Sequence, residues 1–482
     1  MKRWVIIKPL SLLILIYALA MTPPLVIALA LGEAEMIMGL AAAIAIITAI
    51  ALPVFIIVRK SENRFSSKDG FMLVFLAWVT AALSGALPYW ISGCIPGFTD
   101  AVFESVSGFT TTGSSIIRDL DVMPRSLIFW RAETHWLGGM GMVVLTVALF
   151  PFLGVGAFQI IKAEIPGPDK DRMTPKITET AKILWLIYIS LTVIQTVLLA
   201  LAGMDWFDAV IHAFSTIATG GFSSRNEGLA YWNSPAILWI VLIFMLIYGF
   251  NFTLIYRLLQ GKWKDVWYSS EGRAYIGITV ISTLIITFSC MHEFPGVTAA
   301  GSFRNGFFYS VSIITTTGHT IGNQSLLTPV GKMALFCMMF IGGCSGSTAG
   351  GVKVIRYVVL FKQAGNEIKK IMYPQGVFSI QLNHKVGRKD VVYSVAGFMF
   401  MYLLVLAAGS LIIASSGYDH LGSFYVSLLS LGNIGVNPIT YDTVTAIPGF
   451  PAYVKWTISF IMLTGRLELW TVFVFFSREY WQ

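Results

Sequence analysis

Several long apolar stretches constrain the fold of this chain more than any other feature of its sequence. Residues 5–31, 36–58, 183–202, 237–259 and 392–414 each contain the roughly 20 residues that cross a bilayer as a helix. Of the 482 residues, 56% are hydrophobic and 12% are charged, about half the charged share of soluble proteins. The chain is therefore predicted to be an integral membrane protein. Residues 5–31 are too long for the apolar part of a signal peptide, so we interpret them as a retained helix.

The distribution of basic residues predicts how the chain lies in the membrane. When Met1 is placed in the cytosol, most of the 33 Lys and Arg residues fall on the cytosolic side, among them Arg59, Lys60, Lys369 and Lys370. This is the positive-inside pattern, and it predicts that both termini are cytoplasmic. It also explains the net charge of +8 without any nucleic acid. Membrane lipid or a cytosolic partner is a second use of these basic segments.

Four short windows of the sequence share one internal spacing. They cover residues 100–113, 208–221, 305–318 and 422–435, and each ends in a glycine 13 residues after its start. A large apolar residue always lies four positions before that glycine, and a serine lies six positions before it in the first three windows. One such window would be unsurprising in a chain rich in Gly, Ser and Thr. Four windows with equal spacing predict an internal repeat.

Each window lies between two apolar stretches and is itself too short to cross the bilayer. We therefore predict a half-helix that enters from outside and returns as an extended loop lining a water-filled cavity. The predicted fold is an all-α integral membrane protein with about ten transmembrane helices. Four pseudo-symmetric helix–pore loop–helix repeats surround a central pore, and two helices precede them. The predicted units are residues 1–69 for the two N-terminal helices, then 70–160, 161–265, 266–375 and 376–482 for the repeats.

The loops that end the windows have the composition of a cation filter. A bare cation needs oxygen ligands in place of its hydration shell, and rings of backbone carbonyls supply them. Glycine permits the positive φ that turns successive carbonyls toward one axis, and each half-helix ends in partial negative charge. The loops contain no Lys or Arg, whereas an anion pore would be expected to contain one. The candidate filter residues are Thr110, Thr111, Thr112, Gly113, Ala218, Thr219, Gly220, Gly221, Thr315, Thr316, Thr317, Gly318, Gly432, Asn433, Ile434 and Gly435.

A glycine-rich segment interrupts the second predicted helix of the third repeat. Five of its ten residues are glycine, and each glycine costs a helix about 1 kcal/mol relative to alanine. Non-helical backbone at this depth must be buried in protein or face water, so we predict a mobile gate below the filter. Close packing of small residues against a neighbouring helix is the alternative. The segment consists of Gly342, Gly343, Cys344, Ser345, Gly346, Ser347, Thr348, Ala349, Gly350 and Gly351.

Arg466 is a further candidate gate residue, because it falls inside the last apolar stretch, residues 458–476. An arginine near mid-membrane costs about 2.5–3.5 kcal/mol, so its side chain should face protein or water. In the permeation path its charge would repel cations and help to keep the gate shut. A structural ion pair with an acidic residue such as Glu468 is the alternative.

The remaining polar residues favour structural roles. Because Asp and Asn are ordinary helix N-caps, capping and packing rather than ion binding are expected for Asp100, Glu104, Asp208 and Asn305. Hydrogen-bonded structural roles rather than pH sensing are expected for His212 and His319. Buried free thiols rather than disulfides are expected at Cys94, Cys290, Cys337 and Cys344.

Other classes of function fit the sequence less well. An enzyme is not predicted, because the chain has no G-x-S-x-G motif, metal-ligand cluster or phosphate-binding loop. A secondary carrier would more typically show inverted repeats and a membrane carboxylate. Here the repeats run in parallel, and no acidic residue lies in a filter loop.

With these features the sequence resembles the Trk/Ktr/HKT superfamily of potassium transporters, and within it the TrkH-type bacterial membrane subunits. The resemblance covers nearly the whole chain and implies potassium uptake through a filter with one glycine per repeat. These glycines correspond to Gly113, Gly221, Gly318 and Gly435. Glycine rather than serine at the first position implies a potassium-permeable filter. The loops lack the TVGYG of tetrameric potassium channels and differ from one another, so the fourfold symmetry is expected to be approximate.

The resemblance also implies the surroundings of the pore. It implies a gate loop at residues 342–351, a pore-facing arginine at Arg466, and potassium ions at the filter residues, with no organic cofactor on this chain. It implies a homodimer in the bacterial inner membrane, on which a cytosolic ring of TrkA-type nucleotide-binding (RCK) subunits docks. Proton- or sodium-coupled symport through the same filter is the alternative to passive conduction.

Overall fold

Nearly all of the regular structure is helical, because a chain in hydrocarbon must satisfy its backbone N–H and C=O groups within each segment. The structure is a computed structural model that describes residues 3–60, 66–141, 177–293, 298–321, 327–383, 385–386, 389–435 and 446–482. In this part of the chain the only strands are β1 (Gln381–Leu382) and β2 (Lys385–Val386), which form an antiparallel pair.

Six continuous helical stretches are long and apolar enough to cross a bilayer. The stretch at Ser67–Ile91 begins with a capping box, in which the side chains of Ser66 and Asp69 each accept a hydrogen bond from the other's backbone N–H. The six stretches are α1 with α2 (Arg3–Ala20 and Thr22–Leu31), α3 (Ala34–Val58), α4 (Ser67–Ile91), α7 (Ile177–Leu201), α12 (Ser270–Glu293) and α16 (Lys389–Ala414).

The second spans of repeats two and four are each bent into two helices. In repeat two, α9 (Pro235–Tyr248) and α10 (Phe252–Leu259) meet at 102°. In repeat four, α18 (Ala452–Arg466) meets α19 (Trp470–Phe473) and the 3-10 turn that follows it at 111°. With each pair taken as one span, the described residues contain up to eight spans. The sequence predicted one unbroken helix in each place, and that prediction is wrong.

Local backbone signals explain both bends. The side-chain oxygen of Asn251 accepts a hydrogen bond from the N–H of Thr253, so α10 begins afresh at Phe252, three residues after the C-cap Gly249 of α9. At the second bend, Glu468 and Leu469 have φ of 56° and 50°, which lies outside the right-handed helical region. The apolar composition of both segments hid these interruptions.

The second span of repeat three is interrupted as well. In repeat one, α6 (Arg125–Gly139) is followed by Met140 as its C-cap, and residues 142–176 lie outside the described residues. In repeat three, α14 (Pro329–Met339) and α15 (Val354–Met372) are separated by the predicted glycine-rich segment. The shorter elements are α11 (Trp263–Trp267), α20 (Arg478–Trp481) and 3-10 turns at Gly228–Trp232, Ile447–Gly449 and Val474–Phe476.

Four half-helices lie at the centre of the molecule: α5 (Phe98–Phe109), α8 (Trp206–Ile217), α13 (Ala299–Ile314) and α17 (His420–Gly432). Each packs against the first helix of its own repeat, and the second span of every repeat also packs against the half-helix of the next one. These contacts join α6 to α8, α9 to α13, α14 to α17, and α18 to α5. The last contact returns to the first repeat, so the four repeats form a closed ring.

The N-terminal helices pack outside the first repeat. α1 and α3 contact α4, and α2 contacts α6. Glu33, in the turn before α3, joins the two parts because its carboxylate accepts hydrogen bonds from the backbone N–H groups of Arg125 (2.8 Å) and Ser126 (3.1 Å) at the start of α6.

Candidate ion filter and gate

The four loops predicted as a filter share one backbone hydrogen-bond pattern. In each, the N–H of the residue before the final glycine donates to the carbonyl five residues earlier, near the end of the half-helix. The pairs are Thr112 with Ser107 (2.9 Å), Gly220 with Ser215 (2.9 Å), Thr317 with Ser312 (3.0 Å) and Ile434 with Leu429 (2.8 Å). These bonds occupy loop amides with carbonyls that a helix end otherwise leaves unpaired. The carbonyls of the loops themselves are then the groups that can receive a cation.

The loops also share an unusual backbone conformation. Positive φ of 53° to 56° occurs two residues before the final glycine in every loop, at Thr111, Thr219, Thr316 and Asn433. Positive φ, here 76° to 84°, recurs at the final glycine of the first three loops, at Gly113, Gly221 and Gly318. Alternation of left-handed with ordinary residues turns successive backbone dipoles to one side. The sequence predicted this conformation for the glycines but missed the threonines, for which it costs about 1–2 kcal/mol.

The filter loops lie directly against one another. A methyl group on Gly113 would overlap the carbonyl oxygen of Gly220 in the neighbouring loop. Corresponding overlaps would occur between Gly221 and Thr317 and between Gly435 and Thr112. The predicted filter residues are thus brought together around one centre, and only the absence of a side chain at these glycines allows the approach.

The glycine-rich segment 342–351 lies beneath the filter, is hydrogen-bonded to two of its four parts, and places Gly350 against Gly432 and Asn433 of the fourth loop. The N–H of Gly350 donates to Oγ1 of Thr316 in the third filter loop at 2.7 Å. The hydroxyl of Thr348 donates to the carbonyl of Ile217, at the end of half-helix α8, at 2.9 Å. The segment is therefore tied to filter loop three and to the base of filter loop two.

The bend between α9 and α10 receives the other side of this segment. The N–H of Cys344 donates to the carbonyl of Gly249 at 2.8 Å, and the N–H of Phe252 donates to the carbonyl of Gly346 at 3.1 Å. Two interrupted helices thus satisfy one another's backbone groups, as non-helical backbone at membrane depth requires.

Arg466 ends α18 and reaches toward the same segment. Its guanidinium donates to the carbonyl of Thr348 at 2.8 Å and to the carbonyl of Gly138, at the end of α6, at 2.9 Å. Glu468, considered from sequence as its ion-pair partner, binds Arg356 of α15. The positive charge of Arg466, in repeat four, therefore contacts both the glycine-rich segment of repeat three and the end of α6 in repeat one.

Comparisons with known proteins identify the family of this chain. A profile of the TrkH family, described as cation transport protein, matches residues 38–482. The Trk system potassium uptake protein TrkH of Escherichia coli K12 is 41% identical over 436 residues, which cover 88% of each chain. The protein of the same name from Halomonas elongata is 34% identical and covers 100% of both chains. The chain belongs to the TrkH family.

A solved TrkH structure has the same fold. The crystal structure of the potassium transporter TrkH from Vibrio parahaemolyticus matches with a TM-score of 0.88 and 34% identity, and the match covers 100% of both chains. The all-α membrane fold predicted from the sequence is thereby confirmed. Membership of a TrkH family of transporters also confirms the prediction of a transporter rather than an enzyme.

In this TrkH-family chain, sequence reasoning missed a layer of side chains behind filter loop two. A methyl group on Gly220 would overlap the imidazole of His135, which belongs to α6. That imidazole stacks on Phe222 with 3.9 Å between ring centroids, and the guanidinium of Arg131 lies 3.5 Å from the centroid of the same ring. Arg131 also forms a buried ion pair with Glu104 of α5. The sequence signal that could have revealed this layer is the presence of two ionisable residues, Arg131 and His135, within the second span of repeat one.

The two histidines noted from sequence are hydrogen-bonded. Nδ1 of His212 lies 2.8 Å from the carbonyl oxygen of Asp208, and Nε2 of His319 lies 3.0 Å from Oγ1 of Thr216. Both contacts agree with the structural roles expected.

Residues other than those predicted cap the half-helices. The N-caps of α5, α8, α13 and α17 are Gly97, Asp205, Thr298 and Asp419. Capping by Asp100, Asp208 and Asn305 is therefore a wrong prediction, because the helices begin earlier than the windows. Asp100 instead binds Lys455 at 2.6 Å, and Asp208 binds Arg225 at 3.2 Å. In the loop before α17, a hydrogen bond from the N–H of Gly422 lowers the pKa of Asp419 below its ordinary value.

The described residues contain no group of three or more His, Cys, Asp or Glu side chains suited to a metal ion.

The four cysteines are free thiols, as expected, but only Cys290 and Cys344 are buried. Cys94 is half-buried and Cys337 is exposed, so the prediction of burial is wrong for these two. Apolar neighbours in sequence did not distinguish a side chain facing lipid from one facing protein.

Proposed function

We propose that this protein carries potassium ions into a bacterial cell across the inner membrane, with both termini in the cytoplasm. The ions pass through the ring of four filter loops and bind to the backbone carbonyls around Gly113, Gly221, Gly318 and Gly435. Potassium uptake is the activity named for the relatives in Escherichia coli and Halomonas elongata.

One observation carries the proposal: the same amide-to-carbonyl bond recurs in all four loops, although their residues differ. Four loops held alike around one centre offer carbonyls from four directions, as replacement of a hydration shell requires. In each loop, the residues between the bonded amide and its carbonyl partner are uncharged. The loops therefore provide dipoles rather than a fixed anionic site.

Growth of a potassium-uptake-deficient bacterium at low potassium tests the proposal. The wild-type chain, co-expressed with the cytosolic partner, should restore growth, and Gly113→Ser should not, because its side chain meets the carbonyl of Gly220. Gly203→Ser is the matched control, since Gly203 has φ of 99° and open space around it. Failure of membrane-inserted wild-type protein to restore growth would contradict the proposal.

Reversal potentials in liposomes distinguish passive conduction from coupled symport. A reversal potential that follows the potassium gradient alone, at any pH and sodium concentration, is expected for the channel-like pore. A shift with the proton or sodium gradient would instead identify a symporter that uses the same filter.

We further propose that residues 342–351 and Arg466 form the gate. In support, both contact each other directly below the filter. The protein would act as a homodimer under a TrkA-type nucleotide-binding ring, since the relatives are named as parts of a Trk system. Co-purification with the ring, and flux that responds to nucleotide only in its presence, are the expected results.

A further inference from the structure

A surface outside the filter and gate has a chemistry of its own. We call residues 252–268, which comprise α10 and α11, the interfacial segment. Because α9 belongs to a span and α10 leaves it at 102°, α10 runs nearly perpendicular to the part of the span that α9 forms. It precedes α12, which begins the next crossing at Ser270.

The interfacial segment exposes large apolar side chains. Trp263 and Trp267 are 61% and 70% exposed, and Leu258 and Leu259 are also exposed. Tryptophan is enriched where membrane meets water, because its ring is apolar and its N–H is polar. Exposure to water alone would leave this apolar surface uncovered.

The charges of the interfacial segment are mostly positive. Lys262 and Lys264 flank Trp263 in sequence, and both are exposed. The one acidic residue of the segment, Asp265, binds Arg257 at 3.4 Å. Two lysines next to an exposed tryptophan therefore offer positive charge at the level of lipid headgroups.

We propose that the interfacial segment binds an anionic phospholipid in the leaflet away from the N-termini of the half-helices. Lys262 and Lys264 contact the phosphate of the headgroup, while Trp263 and Trp267 lie at the boundary with the acyl chains. Charge complementarity favours an anionic lipid over a zwitterionic one, and the apolar residues favour a lipid over free phosphate.

The bound lipid lies close to the gate segment in sequence and in space. α10 begins at Phe252, whose N–H donates to the carbonyl of Gly346. A lipid that fixes the interfacial segment therefore also fixes one of the hydrogen bonds of residues 342–351. This consequence for flux rests on the proposed function, whereas lipid binding does not.

Native mass spectrometry of the purified protein tests the binding. Phosphatidylglycerol should bind more tightly than phosphatidylcholine, and Lys262→Gln with Lys264→Gln should weaken phosphatidylglycerol binding about 30-fold. Replacing the same two lysines by arginine should preserve it. Arg118→Gln is the control, because it removes an exposed positive charge from the loop between α5 and α6, on the side of the half-helix N-termini, and its binding should equal that of the wild type. Size-exclusion profiles establish that each variant is folded.

Three outcomes would overturn the inference. The first is unchanged phosphatidylglycerol binding in the Lys262 and Lys264 variant, and the second is an equal loss of binding in the control. The third is dissociation of a dimer on Trp263→Ala with Trp267→Ala, which would identify the surface as a contact between copies. Potassium flux in vesicles with and without phosphatidylglycerol separates the two proposals. Lipid binding without any potassium flux would contradict only the proposed function.

Discussion

At the scale of single residues, the proposed filter depends on glycines at positions where no larger side chain fits. Gly113, Gly221 and Gly435 approach carbonyls of neighbouring loops, and Gly220 approaches the ring of His135. Thr111 and its counterparts hold a left-handed conformation that threonine rarely adopts. Strain of this kind persists only where surrounding contacts enforce it, here the paired bonds between loop and half-helix.

Gly220→Ala should lower potassium flux about tenfold, because the added methyl group presses the second loop away from His135. In a His135→Ala background the same change should cost much less, since the methyl then has room. Flux measured for the wild type, both single variants and the double variant gives the coupling. An equal penalty for Gly220→Ala in both backgrounds would show that His135 is not the obstacle.

At the scale of elements, helix interruptions connect the filter to the rest of the ring. Arg466 bonds to the glycine-rich segment and to the end of α6, and the backbone of Gly249, at the bend in α9–α10, bonds to the same segment. The bend in α9–α10 and the glycine-rich segment satisfy one another's backbone groups, and the side chain of Arg466 satisfies a carbonyl at the end of α6. We therefore expect a change at one of these interruptions to affect its neighbour.

Thr316→Val should raise basal flux about fivefold. Valine keeps the volume of threonine but cannot accept the hydrogen bond from Gly350, and one such bond contributes about 1 kcal/mol. Thr111→Val, at the corresponding position of the first loop, is the control and should show no rise. If both variants conduct alike in liposomes, the bond to the gate segment does not restrain it.

Arg466→Ala should raise leak conductance, because it removes both a positive charge and the bond to Thr348. Arg466→Lys keeps the charge but not the paired geometry of the guanidinium, so an intermediate leak is expected. Single-channel or liposome flux recordings without nucleotide measure the effect. Unchanged flux in the alanine variant would exclude Arg466 from the gate.

At the scale of the whole molecule, the ring is closed by packing between the first and last repeats. α18 contacts α5, and Lys455 of α18 binds Asp100 of α5 at 2.6 Å. The two N-terminal spans lie outside this ring and are attached to it through Glu33 and its bonds to the start of α6.

Glu33→Ala should destabilise the protein by about 1 kcal/mol, because it leaves the first amides of α6 without their acceptor. Glu35→Ala, two residues away at an exposed position in the first turn of α3, should have a smaller effect, because it loses only the interaction with the helix dipole. Thermal unfolding in detergent, followed by intrinsic fluorescence, compares the two. A larger loss in the Glu35 variant would contradict the role assigned to Glu33.

The sequence by itself determined the membrane class, and it predicted the repeats and the four loops that we propose as a filter. Apolar length and the spacing of residues within a window are local properties, and they survive without knowledge of any contact. Even the interruption at 342–351 was visible, because five glycines in ten residues cannot hold a helix.

Only the tertiary structure decided what surrounds the loops. The bends at Gly249 and Glu468, the packing of His135 on Gly220 and the bonds of Arg466 depend on residues that are distant in sequence. Arg466 and Gly138 are 328 positions apart and still form a hydrogen bond. Such a contact follows from the closure of four repeats into a ring, which places each second span against the next half-helix, and no local pattern encodes it.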